Sequence, residues 1–307
     1  MRRPSPRLAV LLTLLGAGAG LIALLVQGQP QRLRPSLAPA ARLLGTPFQL
    51  ADRLASRMVP VDALDERELG TVLHARYAAR IQAGDPDQAY LDALMEDLKP
   101  HRRRPLHYRA YAVGPCGTIN AAALPGGIVL VCRELLQGMG SEAEVVGVLA
   151  HEIGHLELGH GFDLVRGELL ARRSRTVLLG RLADQMVGIL VRRRYSQAAE
   201  SESDAYAFAL LLDSLYDPAA LARGFRTLIA DRGHARPVGL LGELSASHPP
   251  SELRRQLYAE RARAWWHSHG SQRRYRGTRN LRERRTLRQR EHAEEWASGQ
   301  EGTQATR

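Results

Sequence analysis

Lysine is almost absent from this chain of 307 residues: Lys99 is the only one, so the formal net charge of +11 is carried by arginine. A surplus built from one residue type reads as compositional bias, as from a GC-rich genome, and argues against a surface selected to bind nucleic acid. Cysteine is scarce as well. Cys116 and Cys132 are the only two, which permits one intrachain disulfide and leaves no cysteine behind the N-terminal apolar run to accept a lipid. Only one uncharged apolar run, Leu8 to Val26, is long enough to cross a bilayer. Val177 to Val191 is apolar but contains Arg181 and Asp184, charges that a membrane span would have to bury. It reads as a core helix, or as an amphipathic helix covering a cleft. A protein built from many membrane helices is therefore excluded, and the absence of internal repeats excludes a repeat array.

Against those absences stands one dense motif. Residues 151 to 155 read His-Glu-Ile-Gly-His. Positions four apart share a helix face, so His151 and His155 can hold one zinc ion while Glu152 faces a water on that metal. The surroundings support a helix there. Ser141 and Glu144 form a capping box, the apolar run Val145 to Ala150 leads into the motif, and Gly159 and Gly161 lie where the helix should end. The chemistry implied is peptide-bond hydrolysis.

A catalytic zinc needs a third protein ligand and an open fourth position. The metzincin pattern would place glycine at 158 and histidine at 161, but this chain has Leu158 and Gly161, which excludes that class. A glutamate on a second helix is the other solution. The stretch from Tyr195 to Leu210 reads as a helix with Glu200 and Asp204 on one face. Glu200 can ligate the metal while Asp204 accepts the remaining N–H of a ligand histidine, fixing its tautomer.

In this arrangement the chain resembles metallopeptidase family 48, gluzincins that include CAAX prenyl proteases, HtpX-like proteases and periplasmic proteases policing outer-membrane assembly. The resemblance covers residues 105 to 265. It rests on Asn120 to Gly127, on the His-Glu-Ile-Gly-His helix with His160 following, on Glu200 to Asp204, and on His248-Pro249-Pro250 followed by Arg254. Tyr216-Asp217-Pro218 matches the family's turn after the second helix, while Gln197 and Ser203 depart from the common residues. The resemblance implies catalytic roles for Glu152, His248 and Arg254, the last two as oxyanion stabilisers, with His248 alternatively a fourth ligand that keeps the site latent. It implies metal ligands His151, His155 and Glu200, with Asp204 and His160 behind them. The CAAX prenyl protease role is excluded by the lack of enclosing membrane helices.

Ile128 to Val131 reads as a strand after the Pro125-Gly126-Gly127 turn, with Thr118 to Ala123 as its hairpin partner. Asn120, Ala121, Ala122 and Ala123 are thus candidates to hold an extended substrate by strand addition. Cys116 and Cys132 bracket that hairpin, so they are either a disulfide in an oxidising compartment or two buried thiols. Helices are expected over 62–82 and 87–98, and Trp265 and Trp266 end another, as core residues or as a membrane-interface mark.

The expected fold class is α+β and mostly helical: a zincin-like catalytic domain with a small antiparallel sheet beside the metal helix, plus one N-terminal transmembrane or signal helix. Residues 1–30 form the anchor or signal, 31–60 a Pro and Ala linker, 61–270 the peptidase domain, and 271–307 a basic, disordered tail. That tail could lie on anionic lipid. The expectation is a zinc endopeptidase with one Zn2+ per chain, held at a bacterial inner membrane with its catalytic domain outside the cytoplasm. Its substrates would be misfolded or unassembled envelope proteins, and nucleic acid is not an expected partner. The alternative is a metal-bound scaffold or assembly chaperone with little turnover.

Overall fold

The computed structural model describes residues 63–165, 195–238 and 250–298. Helices α1 (Ala63–Ala78) and α2 (Pro86–Asp97) precede strands β1 (Arg109–Val113), β2 (Ala121–Leu124) and β3 (Ile128–Cys132). A short helix α3 (Arg133–Gly138) leads to the motif helix α4 (Glu142–Glu157). Then come α5 (Gln197–Asp213), α6 (Ala220–Arg232) and α7 (Glu252–Ser268), and last β4 (Arg274–Tyr275), α8 (Thr278–Glu283) and β5 (Trp296–Ala297). The molecule is mostly helical with a small mixed sheet, in keeping with the α+β expectation. Among the described residues no helix is long and apolar enough to cross a membrane. The expected anchor at 8–26, the linker, Val177 to Val191 and His248 lie outside the described residues.

The sheet departs from the expected all-antiparallel arrangement. Its order is β1-β3-β2: β2 pairs antiparallel with β3 across the Pro125-Gly126-Gly127 turn, while β1 pairs parallel with β3. The turn needs its glycines, since Gly126 and Gly127 have φ of 92° and 96° and a Cβ on Gly126 would stand 2.2 Å from Gly70 Cα of α1. The two sheet edges are treated differently. Along β1 the side-chain amide of Gln88 on α2 donates to Ala110 O at 2.8 Å and accepts from Ala112 N–H at 3.0 Å, closing that edge. The β2 edge faces the motif helix, and there Glu152 accepts from the Ala123 N–H at 2.8 Å.

Helix α4 is the core element. Ser141 caps it, accepting from Glu144 N–H, and Glu144 in turn accepts from Gly140 N–H at 3.0 Å. Val145, Val146, Leu149, Ala150 and Ile153 are fully buried, at about 1.5–3 kcal/mol for each large side chain. Helix α5 crosses α4 at Gly154, where an added Cβ would stand 3.1 Å from Ser203 Cα. That close approach brings Glu200 onto the histidine face.

The expected disordered tail is a correction. Residues 271–298 are folded onto the catalytic domain: Tyr275, Asn280, Leu281 and Thr286 are buried, and Gly277 O and Arg276 O accept from the first N–H groups of α4. Arginine suggested a solvated segment, but several of these guanidiniums are paired, as in Arg284 Nε to Asp87 Oδ1 at 2.6 Å. The Tyr216-Asp217-Pro218 turn anchors the same region. Asp217 accepts from the Trp266 indole N–H at 3.2 Å and pairs with Arg223 at 2.8 Å. Trp266 is therefore a core residue.

Candidate metal centre

His151 and His155 lie one turn apart on α4, and Glu200 reaches them from the first turn of α5, whose cap is Ser196. The Nε2 atoms of the two histidines are 3.2 Å apart, and each lies 3.6 Å from a Glu200 carboxylate oxygen. All three residues are buried, and their donor atoms fall within 4.8 Å of one another. Two imidazoles and one carboxylate converging on a point form a donor set suited to zinc.

The atoms behind the donors fix their orientation. His151 Nδ1 lies 2.9 Å from Asp204 Oδ1. His155 Nδ1 meets His160 Nδ1 at 3.0 Å, and His160 Nε2 meets Glu202 Oε2 at 3.2 Å. With a metal held at the shared centre, this network would keep each Nδ1–H toward Asp204 or His160 and leave each Nε2 free to ligate. Burial alone would pull His151 down, but the Asp204 hydrogen bond and the Glu152 and Glu200 charges hold its pKa above the ordinary histidine value. Burial likewise opposes the charge on Asp204, yet His151 and Arg254 keep its carboxyl below the usual range.

Glu152 follows His151 on α4 and lines the same cavity. It accepts from the Ala123 N–H at 2.8 Å, which ties it to strand β2. Cys132 N–H donates to Asn120 O, so Asn120 and Ala122 face β3, while Ala121 and Ala123 turn their backbone groups to the open edge. Sequence reasoning located this edge, although the regular strand begins at Ala121 and Thr118 lies in the preceding loop. Thr118 is held there by Asp231, its hydroxyl 2.8 Å from Oδ2.

Arg254, expected as an oxyanion stabiliser, faces the two carboxylates behind and within the donor set. Its Nε and one terminal nitrogen donate to both oxygens of Asp204, at 2.7 and 2.6 Å, and the other lies 2.8 Å from Glu200 Oε2. The guanidinium is thus a clamp on the two carboxylates, and it sits 4.6 Å above the Phe225 ring. The sequence hid this because α7 lies some fifty residues beyond Asp204. Tyr195 was also missed. It precedes the α5 cap, and its ring lies 4.2 Å from that of His155. Its place five residues before Glu200 was the available signal. Cys116 and Cys132 are joined by a disulfide with Cα atoms 6.0 Å apart, which ties the loop before β2 to the end of β3.

Residues 85–262 match the family model described as peptidase family M48. The chain belongs to that family. Within it, the chain is similar to the metalloprotease YcaL of Escherichia coli (strain K12), 30% identical over 167 residues that make up 51% of this chain and 62% of that protein. It is similar to the metalloprotease LoiP of the same organism, 30% identical over 171 residues, 52% of this chain and 64% of LoiP. A third M48 relative is the mitochondrial metalloendopeptidase OMA1 of Arabidopsis thaliana, 30% identical over 146 residues, 46% of this chain and 29% of OMA1. The chain spans less than two thirds of the length of each of these relatives. Every residue of the centre lies inside the M48 match, whereas the folded segment 271–298 lies beyond it.

Proposed function

We propose that this chain is a zinc-dependent endopeptidase that cleaves misfolded or unassembled proteins outside the cytoplasm while anchored through residues 8–26. The observation that carries this reading is the placement of Glu152. It stands beside the donor set of His151, His155 and Glu200 and is bonded to the edge strand that would receive a peptide.

Zinc held by those three residues would supply Lewis-acid activation of water and of the scissile carbonyl. Glu152 is the general base that takes a proton from the attacking water and delivers it to the departing amine. The Ala123 N–H holds that carboxylate in place before substrate arrives. Ala121 and Ala123 bind the substrate main chain as an added strand. Asp204 and His160 keep the imidazoles in their ligating tautomers, and Arg254 fixes Asp204 and Glu200 together. The Cys116–Cys132 disulfide favours an oxidising compartment for the domain.

The test is Glu152→Gln in the purified full chain. The variant is expected to fold, to retain zinc and to lose casein cleavage by about a hundredfold or more. Cleavage at the wild-type rate would refute the assignment. A wild-type chain that binds zinc and unfolded casein without cutting it would favour the scaffold reading.

A further inference from the structure

Beside the metal centre a cavity of about 230 Å³ opens between α4, α6 and the loop before β2. Ile119, Val148, Leu221, Gly224, Phe225 and Leu228 give it a largely apolar lining, with Thr118, Glu144, Arg232 and Arg254 as polar neighbours. Asn120, Ala121, His151 and Glu152 share its lining, so it borders the place where a scissile bond would lie. A dry apolar cavity of about 150 Å³ is already enough to take a benzene ring.

One residue in that wall is out of place by local rules. Gly224 lies in the interior of α6, where glycine weakens a helix relative to alanine. Neither backbone nor packing demands it. It is absent from the positive-φ glycines, and an added Cβ would find nothing closer than Glu144 O and Val148 Cγ2, both at 3.9 Å. By contrast, Gly154 on α4 is hemmed in at 3.1 Å. What the missing side chain at 224 leaves open is the cavity itself.

Resting on the endopeptidase reading, we infer that this cavity takes the side chain on the carboxyl side of the scissile bond, and that Gly224 sets its depth for large apolar residues such as Leu, Met and Phe. The side follows from direction. A peptide adding antiparallel to β2, the more stable pairing, runs opposite to it. The residue beside Ala121 is then carboxyl-terminal to the residue beside Ala123, next to Glu152. Phe225 forms the cavity wall on one face and carries Arg254 on its ring, so the cavity and the metal ligands share a boundary.

Cleavage-site profiling of denatured casein by mass spectrometry tests this, with wild type, Gly224→Ala and Gly224→Leu compared as full chains. Wild type is expected to cut ahead of Leu, Met and Phe. In Gly224→Leu the ratio of large to small residues after the cut should fall by about tenfold or more, toward Ala, Gly and Ser, with Gly224→Ala in between. Zinc content and melting temperature accompany each profile, and Gly224→Ala keeps the test sound if the leucine variant does not fold. An unchanged profile in a folded, active variant overturns the inference. So does a large-residue preference on the amino side of the cut, or a folded, zinc-loaded Gly224→Leu that cuts at no residue. A wild-type chain that cuts nothing would instead overturn the endopeptidase reading, which the casein assay decides separately.

Discussion

Glu142 begins the motif helix with a carboxylate shut off from water. Burial pushes it up to about 7 from the usual 4.5, against the Tyr216 hydroxyl, the Leu287 N–H and the Tyr90 hydroxyl, which all donate to it. A group raised on folding stabilises the protein fully below its unfolded value and loses that contribution as pH rises through the folded one. A displacement from 4.5 to about 7 corresponds to on the order of 3 kcal/mol. Wild type should therefore lose stability relative to Glu142→Gln between pH 4.5 and 7, since the amide keeps the shape and stays neutral. Denaturant midpoints across that range check this, and parallel curves would contradict it. Asp204 is held below the usual carboxylate range, so its own contribution is lost as pH falls. Only the difference between the two proteins isolates Glu142.

The crossing of α4 and α5 at Gly154 places Glu200 against the histidines. A Cβ there would meet Ser203 Cα at 3.1 Å, Ser203 O at 3.2 Å and Tyr206 Cβ at 3.2 Å. Gly154→Val should force the helices apart, costing about 1–3 kcal/mol from overpacking and weakening zinc binding by about tenfold or more. Melting and zinc titration together check it, and wild-type values for both would contradict the crossing. Elements of this kind were legible in the sequence because their signals are local. Ser141 with Glu144, the apolar stripe of α4, Ser196 before α5 and the Pro-Gly-Gly turn each act within a few residues. Strand β1 was not legible. Its Arg-Ala-Tyr-Ala-Val lacks a long apolar run, and its parallel partner β3 comes after the intervening β2. The pairing of Arg254 with Asp204 is likewise tertiary, with nothing local to announce it.

At the scale of the whole molecule, the arginine-rich C-terminal segment is part of the fold. Composition pointed the other way, because Tyr275, Leu281 and Trp296 are thinly spread among charged residues. The residues that hold this segment, Glu142 and Asp217 among others, lie far away in sequence. Removing residues 271–307 would take away the buried side chains of Tyr275 and Leu281, uncover the core surface they pack on, and strip Gly277 O and Arg276 O from the first N–H groups of α4. The loss should be about 5 kcal/mol or more, comparable to the whole stability of many domains. A chain ending at 270 should fail to fold, whereas one ending at 298 should melt close to wild type. Equal melting of the two would show that the segment is dispensable. The same long-range logic governs the centre: α4, α5 and α7 meet only in the folded chain, and the metal would bind to that meeting point. The most direct measurement is the zinc stoichiometry of purified full-length wild type beside Glu200→Ala. One zinc per wild-type chain is expected, and its loss in the variant. Full zinc retention without Glu200 would contradict the ligand set.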